Sequence, residues 1–280
     1  MIDRFVLLFS LAPVTRGFIA MLISGFSFPL CGVMLLRLDL VPMRYMLMHG
    51  VILGGAISLA LNLPILPVTL LINLLLIFAM IFFTRSQSFG FSGASAGAMV
   101  FSMALTSIIM HVKDVPAKDT LSLMWGSPFA LTSTDLVVLA ALAVLLVLYI
   151  ILNFRNIVTI FFNSEIAISL GVKVGLHRNI MVLIIALVVA LAMKLLGAFL
   201  VDALLILPVL SASVVSGKKF LGMKKLFIIS SIIGLVLSAF GFLLAVGINW
   251  PPAATISMLS GFAFLIFCIF RKFSTGVGRK

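Results

Sequence analysis

The strongest constraint on this chain is a series of continuous apolar runs, such as ILPVTLLINLLLIFAMIFF at residues 65–83 and LVVLAALAVLLVLYIIL at residues 136–152. A helix needs roughly 18–20 apolar residues to cross the ~30 Å hydrocarbon core of a bilayer. The runs are unbroken rather than alternating, which excludes a transmembrane barrel. Of 280 residues, 64% are hydrophobic and 9% charged, whereas a soluble domain carries about a quarter charged residues. The chain therefore reads as an all-α integral membrane protein.

Nine apolar elements can be drawn: Gly17–Leu36, Met43–Leu61, Ile65–Phe83, Ser92–Ile109, Leu136–Leu152, Ile180–Met193, Ala198–Val215, Leu226–Val246 and Ala253–Phe270. The sixth is short and is expected to end beneath the membrane surface. Residues 1–14 read as an additional interfacial or half-buried helix. FVLLFSLAPV, within them, is about ten residues long and lacks a preceding basic run and a cleavage site, so it does not read as a cleavable signal. This makes residues 1–280 a single transmembrane domain, a polytopic bundle of about 8–9 transmembrane helices.

The net charge of +12 does not point to nucleic acid, because the basic residues lie in short loops between apolar runs. That pattern orients a membrane protein. With the C-terminus in the cytoplasm, 14 of the 19 Lys and Arg residues fall on the cytoplasmic side and 5 on the other. If residues 1–14 also cross, Asp3 and Arg4 move inside. Cys31 and Cys268 both sit in apolar surroundings and read as lone thiols without a disulfide or metal role.

Two polar segments interrupt the apolar pattern. One, external, covers about residues 110–135. The other, cytoplasmic, covers about residues 160–178 and mixes apolar residues with Ser164, Glu165, Ser169 and Gly171. Ser164 is placed to cap a short helix there, either a docking helix or an amphipathic loop on the membrane surface.

No GxxxxGK[ST] pattern is present, so the chain has no phosphate-binding loop of that kind. It also lacks a nucleophile elbow, paired catalytic carboxylates and CxxC. The chain does not read as an enzyme. The functional signal is then the ionisable groups inside the spans, each costing about 2.5–3.5 kcal/mol at mid-membrane. Two are clearly inside: His49 and Asp202. Each could equally be structural, a histidine bonding a carbonyl or an aspartate pairing with a nearby helix. Pro208 removes a backbone donor and crowds the Leu204 carbonyl, loosening the helix after Asp202. Ser211 and Ser213 then either bond the freed carbonyls or line a wet passage. Gly50 and Gly54 form a GxxxG pair that permits close helix approach, and GASAGA at residues 93–98 is read as the same device.

The segment AMKLLGAFLVDALLILPVLSASVVSGK resembles the signature span of the zinc/manganese/iron-type ABC importer permeases. LMWGSPFALTSTDL is similar to that family's external segment, EIAISLGVKVGLHR to its cytoplasmic segment, and NWPPAATISMLSG to its last external turn. The resemblance runs in order from about Gly17 to Phe270.

It implies a type II ABC-importer-like fold in a bacterial-type cytoplasmic (inner) membrane, and no permanently bound cofactor. It also implies a homodimer of permeases, two cytoplasmic ATP-binding subunits that hold the ATP, and an extracytoplasmic metal-binding protein that delivers a divalent metal ion. Ser164–Gly175 would be the coupling element. The family's second span carries Asp-x-x-x-His, two ligands on one helix face. Here the histidine matches His49, but the aspartate position is Tyr45, and a fourth-span histidine is replaced by Phe101 or a neighbour. Tyrosine is a poor ligand for a divalent metal unless ionised. The expected path is therefore His49, Tyr45, Asp202 and Ser211, with Asp202 supplying the missing carboxylate as a metal ligand opposite His49. The alternatives are a permease for an iron chelate, haem or cobalamin, and an ion-coupled secondary transporter. The first is usually longer, with about ten spans, and the second favours paired broken helices.

Overall fold

The computed structural model describes residues 7–86, 90–116, 118, 126–215 and 222–276. In chain order the helices are α1 Ala12–Arg37, α2 Val41–Leu61, α3 Ile65–Ser86, α4 Gly90–Val112, α5 Ser133–Phe162, α6 Ser164–Ser169, α7 Val174–Leu196, α8 Ala198–Val215, α9 Met223–Ile248 and α10 Pro252–Gly276. A short 3-10 turn, Pro128–Ala130, precedes α5. Nine of these helices, all but α6, are long and apolar enough to span a bilayer among the described residues. The expected interfacial helix at residues 1–14 falls partly outside those residues, as do Asp3 and Arg4, the basic loop around Lys218 and Lys219, and much of the external segment.

The chain divides into two compact units. The first holds Met1–Val33, Ser127–Phe154 and Phe199–Lys280, and the second holds Met34–Gly126 and Arg155–Ala198.

In the first unit α1 and α9 cross on small residues. A β-carbon on Gly25 would stand 2.7 Å from the Gly234 carbonyl oxygen. The Ser231 hydroxyl donates to the Phe26 carbonyl at 2.9 Å across that crossing. Removal of side chains at a crossing lets backbones approach, which is how helices gain dispersion contact where lipid offers no hydrophobic drive. At the start of α5, Asp135 accepts from the Thr132 amide at 2.9 Å and the Thr132 hydroxyl at 2.7 Å. The Asp135 amide in turn donates to that hydroxyl at 3.2 Å, so this acid organises a helix start.

In the second unit α2 packs on α3, α4 and α7. Gly50 lies against Asn73 and Gly54 against Thr69, so the GxxxG pair does admit a close neighbour. The GASAGA stretch does not behave the same way: a β-carbon on Gly97 would meet nothing within 4 Å. Asn62, in the left-handed region at φ 54°, ends α2.

Two expected elements are corrected. The sixth is not short: α7 has 23 residues. Its polar first turns belong to the helix, since Asn156 Nδ2 lies 3.2 Å from His177 Nε2 and Arg178 stacks on a phenylalanine ring. The fifth continues past Leu152 to Phe162, with one non-helical residue, Asn153, at φ −113° and ψ 16°. Both cysteines are free thiols.

Candidate functional site: a polar span face and a capped surface helix

Tyr45 and His49 occur one turn apart on α2 and so share a face. Tyr45 is 43% exposed and His49 is half-buried. Arg44, one of the basic residues that the charge pattern counts on the cytoplasmic side, lies in the first turn of α2, buried. Its guanidinium sits 4.3 Å from the centre of the Tyr45 ring, and the ring's negative face and the aliphatic stem together make that burial tolerable. Where the family pattern has a carboxylate, this chain thus has an aromatic ring covered by a cation. Phe101 on α4 is 64% exposed.

Asn73, which sequence reasoning missed, is 1% exposed on α3. Its Nδ2 donates to the Thr69 carbonyl at 2.9 Å, while its Oδ1 faces Gly50 and has no hydrogen-bond partner among the described residues. The signal was present as a lone asparagine inside the apolar run 65–83.

Asp202 lies on α8, half-buried, in the first unit, whereas His49 belongs to the second. Among the described residues no group of three or more His, Cys, Asp or Glu could hold a metal ion. Pro208 does not break the span: α8 runs without interruption from Ala198 to Val215. Proline deletes a single i→i−4 bond, and the rest of the ladder holds the helix. Ser213 donates to the Val209 carbonyl at 2.9 Å. Ser211 is fully buried, and its hydroxyl has no partner among the described residues.

The cytoplasmic-type segment is the best-formed feature. The helix α6 is six residues long. Its cap is Asn163, not Ser164: in an extended conformation, Asn163 accepts through Oδ1 from Glu165 N at 2.7 Å and Ile166 N at 3.1 Å. Ser164 is the first helical residue, Glu165 is an acid in the first turn, and Ser169 donates back to the Ile166 carbonyl at 2.8 Å. At the other end, Gly171 at φ +79° donates to Ile168 O at 2.9 Å, and Val172 donates to Ala167 O at 3.0 Å. These are the two bonds of a Schellman stop, which needs a residue tolerant of the left-handed region. Only Ala167 of α6 is buried. Phe162 is 81%, Ile168 63% and Leu170 69% exposed. A helix this short cannot hold itself together by propagation. Caps at both ends fix it, and what they fix is an apolar surface left exposed among the described residues.

The chain shares 26% identity with the high-affinity zinc uptake system membrane protein ZnuB of Buchnera aphidicola, over 81% of this chain and 86% of that protein. It shares 24% with the manganese import system permease protein ScaB of Streptococcus parasanguinis, over 78% and 76%. Its fold is similar to that of a solved structure, PsaBC from Streptococcus pneumoniae in complex with Fab, at a TM-score of 0.78 and 20% identity, covering 95% of each chain. The model of the ABC 3 transport family matches residues 11–271. The protein is a multi-pass membrane member of the ABC 3 transport family.

Proposed function

We propose that this chain is the membrane-spanning permease of an ATP-driven importer for a divalent transition metal ion, zinc, manganese or iron. The relatives' zinc and manganese uptake systems support the cargo. The observation that carries the reading is α6, a doubly capped helix with Ile168 exposed on it and Phe162 and Leu170 exposed beside its two ends. The chain has no phosphate-binding loop, so ATP binds to a separate cytoplasmic subunit, and α6 transmits that subunit's closure to the spans. Two permease copies, two ATP-binding subunits and an extracytoplasmic metal-binding protein complete the assembly. It lies in the bacterial inner membrane with the C-terminus cytoplasmic, as the 14-to-5 distribution of basic residues favours.

His49 is the ligand retained on α2, where Tyr45 replaces its carboxylate partner; on α8, Asp202 is the carboxylate and Ser211 the hydroxyl offered to the path. Imidazole and carboxylate are each suited to any of the three metals.

The test is uptake by proteoliposomes holding the permease with its ATP-binding subunit, with zinc, manganese and iron in competition. ATP-dependent accumulation of one metal is expected. Uptake that persists without ATP under an ion gradient overturns the reading in favour of a secondary transporter. Asp202→Asn is expected to abolish uptake while assembly stays intact; unchanged uptake removes Asp202 from the path, and loss of assembly makes it structural.

A further inference from the structure

The second unit contains an apolar groove of about 850 Å³ between α2, α3 and α4. Leu53, Leu76, Phe83, Gly97 and Phe101 are among its walls, and every lining residue is apolar or glycine. It is lined along α3 from Ile72 to Phe83 and along α4 from Gly93 to Leu105. At 1.5 Å per residue these walls are about 16 and 18 Å long. One leaflet of the hydrocarbon core is about 15 Å deep.

A cation stands about one helical turn beyond the lined part of the groove. Ala94, Ala98, Phe101 and Leu105 form one stripe of α4, and Phe91 continues it by a turn at helical spacing. Arg178 of α7 lies over the Phe91 ring, 4.3 Å from its centre. The Arg178 Nε is buried and has no hydrogen-bond acceptor among the described residues. No Asp or Glu occurs in α2, α3, α4 or α7, so these helices offer that guanidinium no carboxylate. Lys173, exposed at the start of α7, adds a second cation nearby in the chain.

We propose that this groove binds an anionic phospholipid, with one acyl chain along α3 and α4 and the phosphate at Arg178. A guanidinium offers paired N–H donors that match phosphate geometry, and basic pockets between spans are a recognised way to hold anionic headgroups. A second copy of this chain fits less well, because the same helices would bring further positive charge and no carboxylate to Arg178. A free phosphate would leave the apolar walls uncovered.

The full-length chain, purified in detergent, is exposed to an equimolar mixture of phosphatidylglycerol and phosphatidylcholine, and native mass spectrometry counts the retained lipid. Phosphatidylglycerol is expected to be retained about fivefold over phosphatidylcholine, the effect of one arginine at a membrane surface. Arg178→Gln should bring the ratio to about one. Gly97→Phe, whose new side chain starts in open space, should reduce retention of both lipids without lowering Tm. Equal retention by the unaltered chain, or a preference that survives Arg178→Gln, overturns the proposal. So does a Gly97→Phe variant that dissociates a permease dimer while keeping its lipid, which would give the groove to a second copy.

Discussion

Gly54 lies so close to Thr69 that a β-carbon on it would stand 2.6 Å from the Thr69 Cα. That atom is backbone and cannot swing aside, so α2 and α3 would have to separate. Overpacking of this kind costs about 1–3 kcal/mol. Gly54→Leu is therefore expected to lower Tm in detergent by several degrees or abolish the folded peak in size-exclusion chromatography. Gly97→Ala is the control, expected to hold or raise Tm because it removes a helical glycine worth about 0.5–1 kcal/mol against alanine. Equal effects from the two would contradict the packing.

The stop after α6 depends on the left-handed backbone of Gly171. Gly171→Ala is expected to weaken it by about 1–2 kcal/mol, while Gly171→Asn, which visits that region more readily, should be milder. Because the helix is peripheral, global Tm should barely move. The readout is co-purification with the ATP-binding subunit, with Asn retaining more than Ala.

Asn163 holds the other end. Losing its side-chain acceptor costs about 1 kcal/mol, so Asn163→Ala should reduce coupled uptake, and Asn163→Asp should preserve it. ATP hydrolysis and uptake measured together would show whether the defect lies in transmission.

Ile168 and Leu170 provide the more direct probe of the exposed face. Ile168→Asp and Leu170→Asp cost little in an isolated permease, since both side chains already face outward. They should abolish capture of the ATP-binding subunit at unchanged Tm. Retained capture would remove α6 as the contact.

Ser211 separates structure from transport. Its buried hydroxyl has no partner among the described residues, a state that costs about 1–3 kcal/mol. Ser211→Ala should therefore leave Tm equal or higher, while uptake falls several-fold if the hydroxyl serves the path. A lower Tm would show a hidden structural bond.

The sequence by itself determined the class of molecule and most of its spans. The element expected at Ala198–Val215 is α8 residue for residue, because an unbroken apolar run in a bilayer has one economical backbone solution. It also marked the α6 segment through its mixture of acid, hydroxyls and glycine. It did not determine which faces pack. GxxxG at Gly50 and Gly54 and GASAGA at residues 93–98 look alike as strings, yet Thr69 occupies the space beside one and the other opens on a groove. In water, polarity separates a packed face from an exposed one. In lipid both are apolar, so the pattern of α3 or α4 carries no such label. Nor does the pattern reveal that Arg44 lies buried over the Tyr45 ring or that Arg178 lies over Phe91. A basic residue near a span end reads only as a charge until the ring it covers is in place.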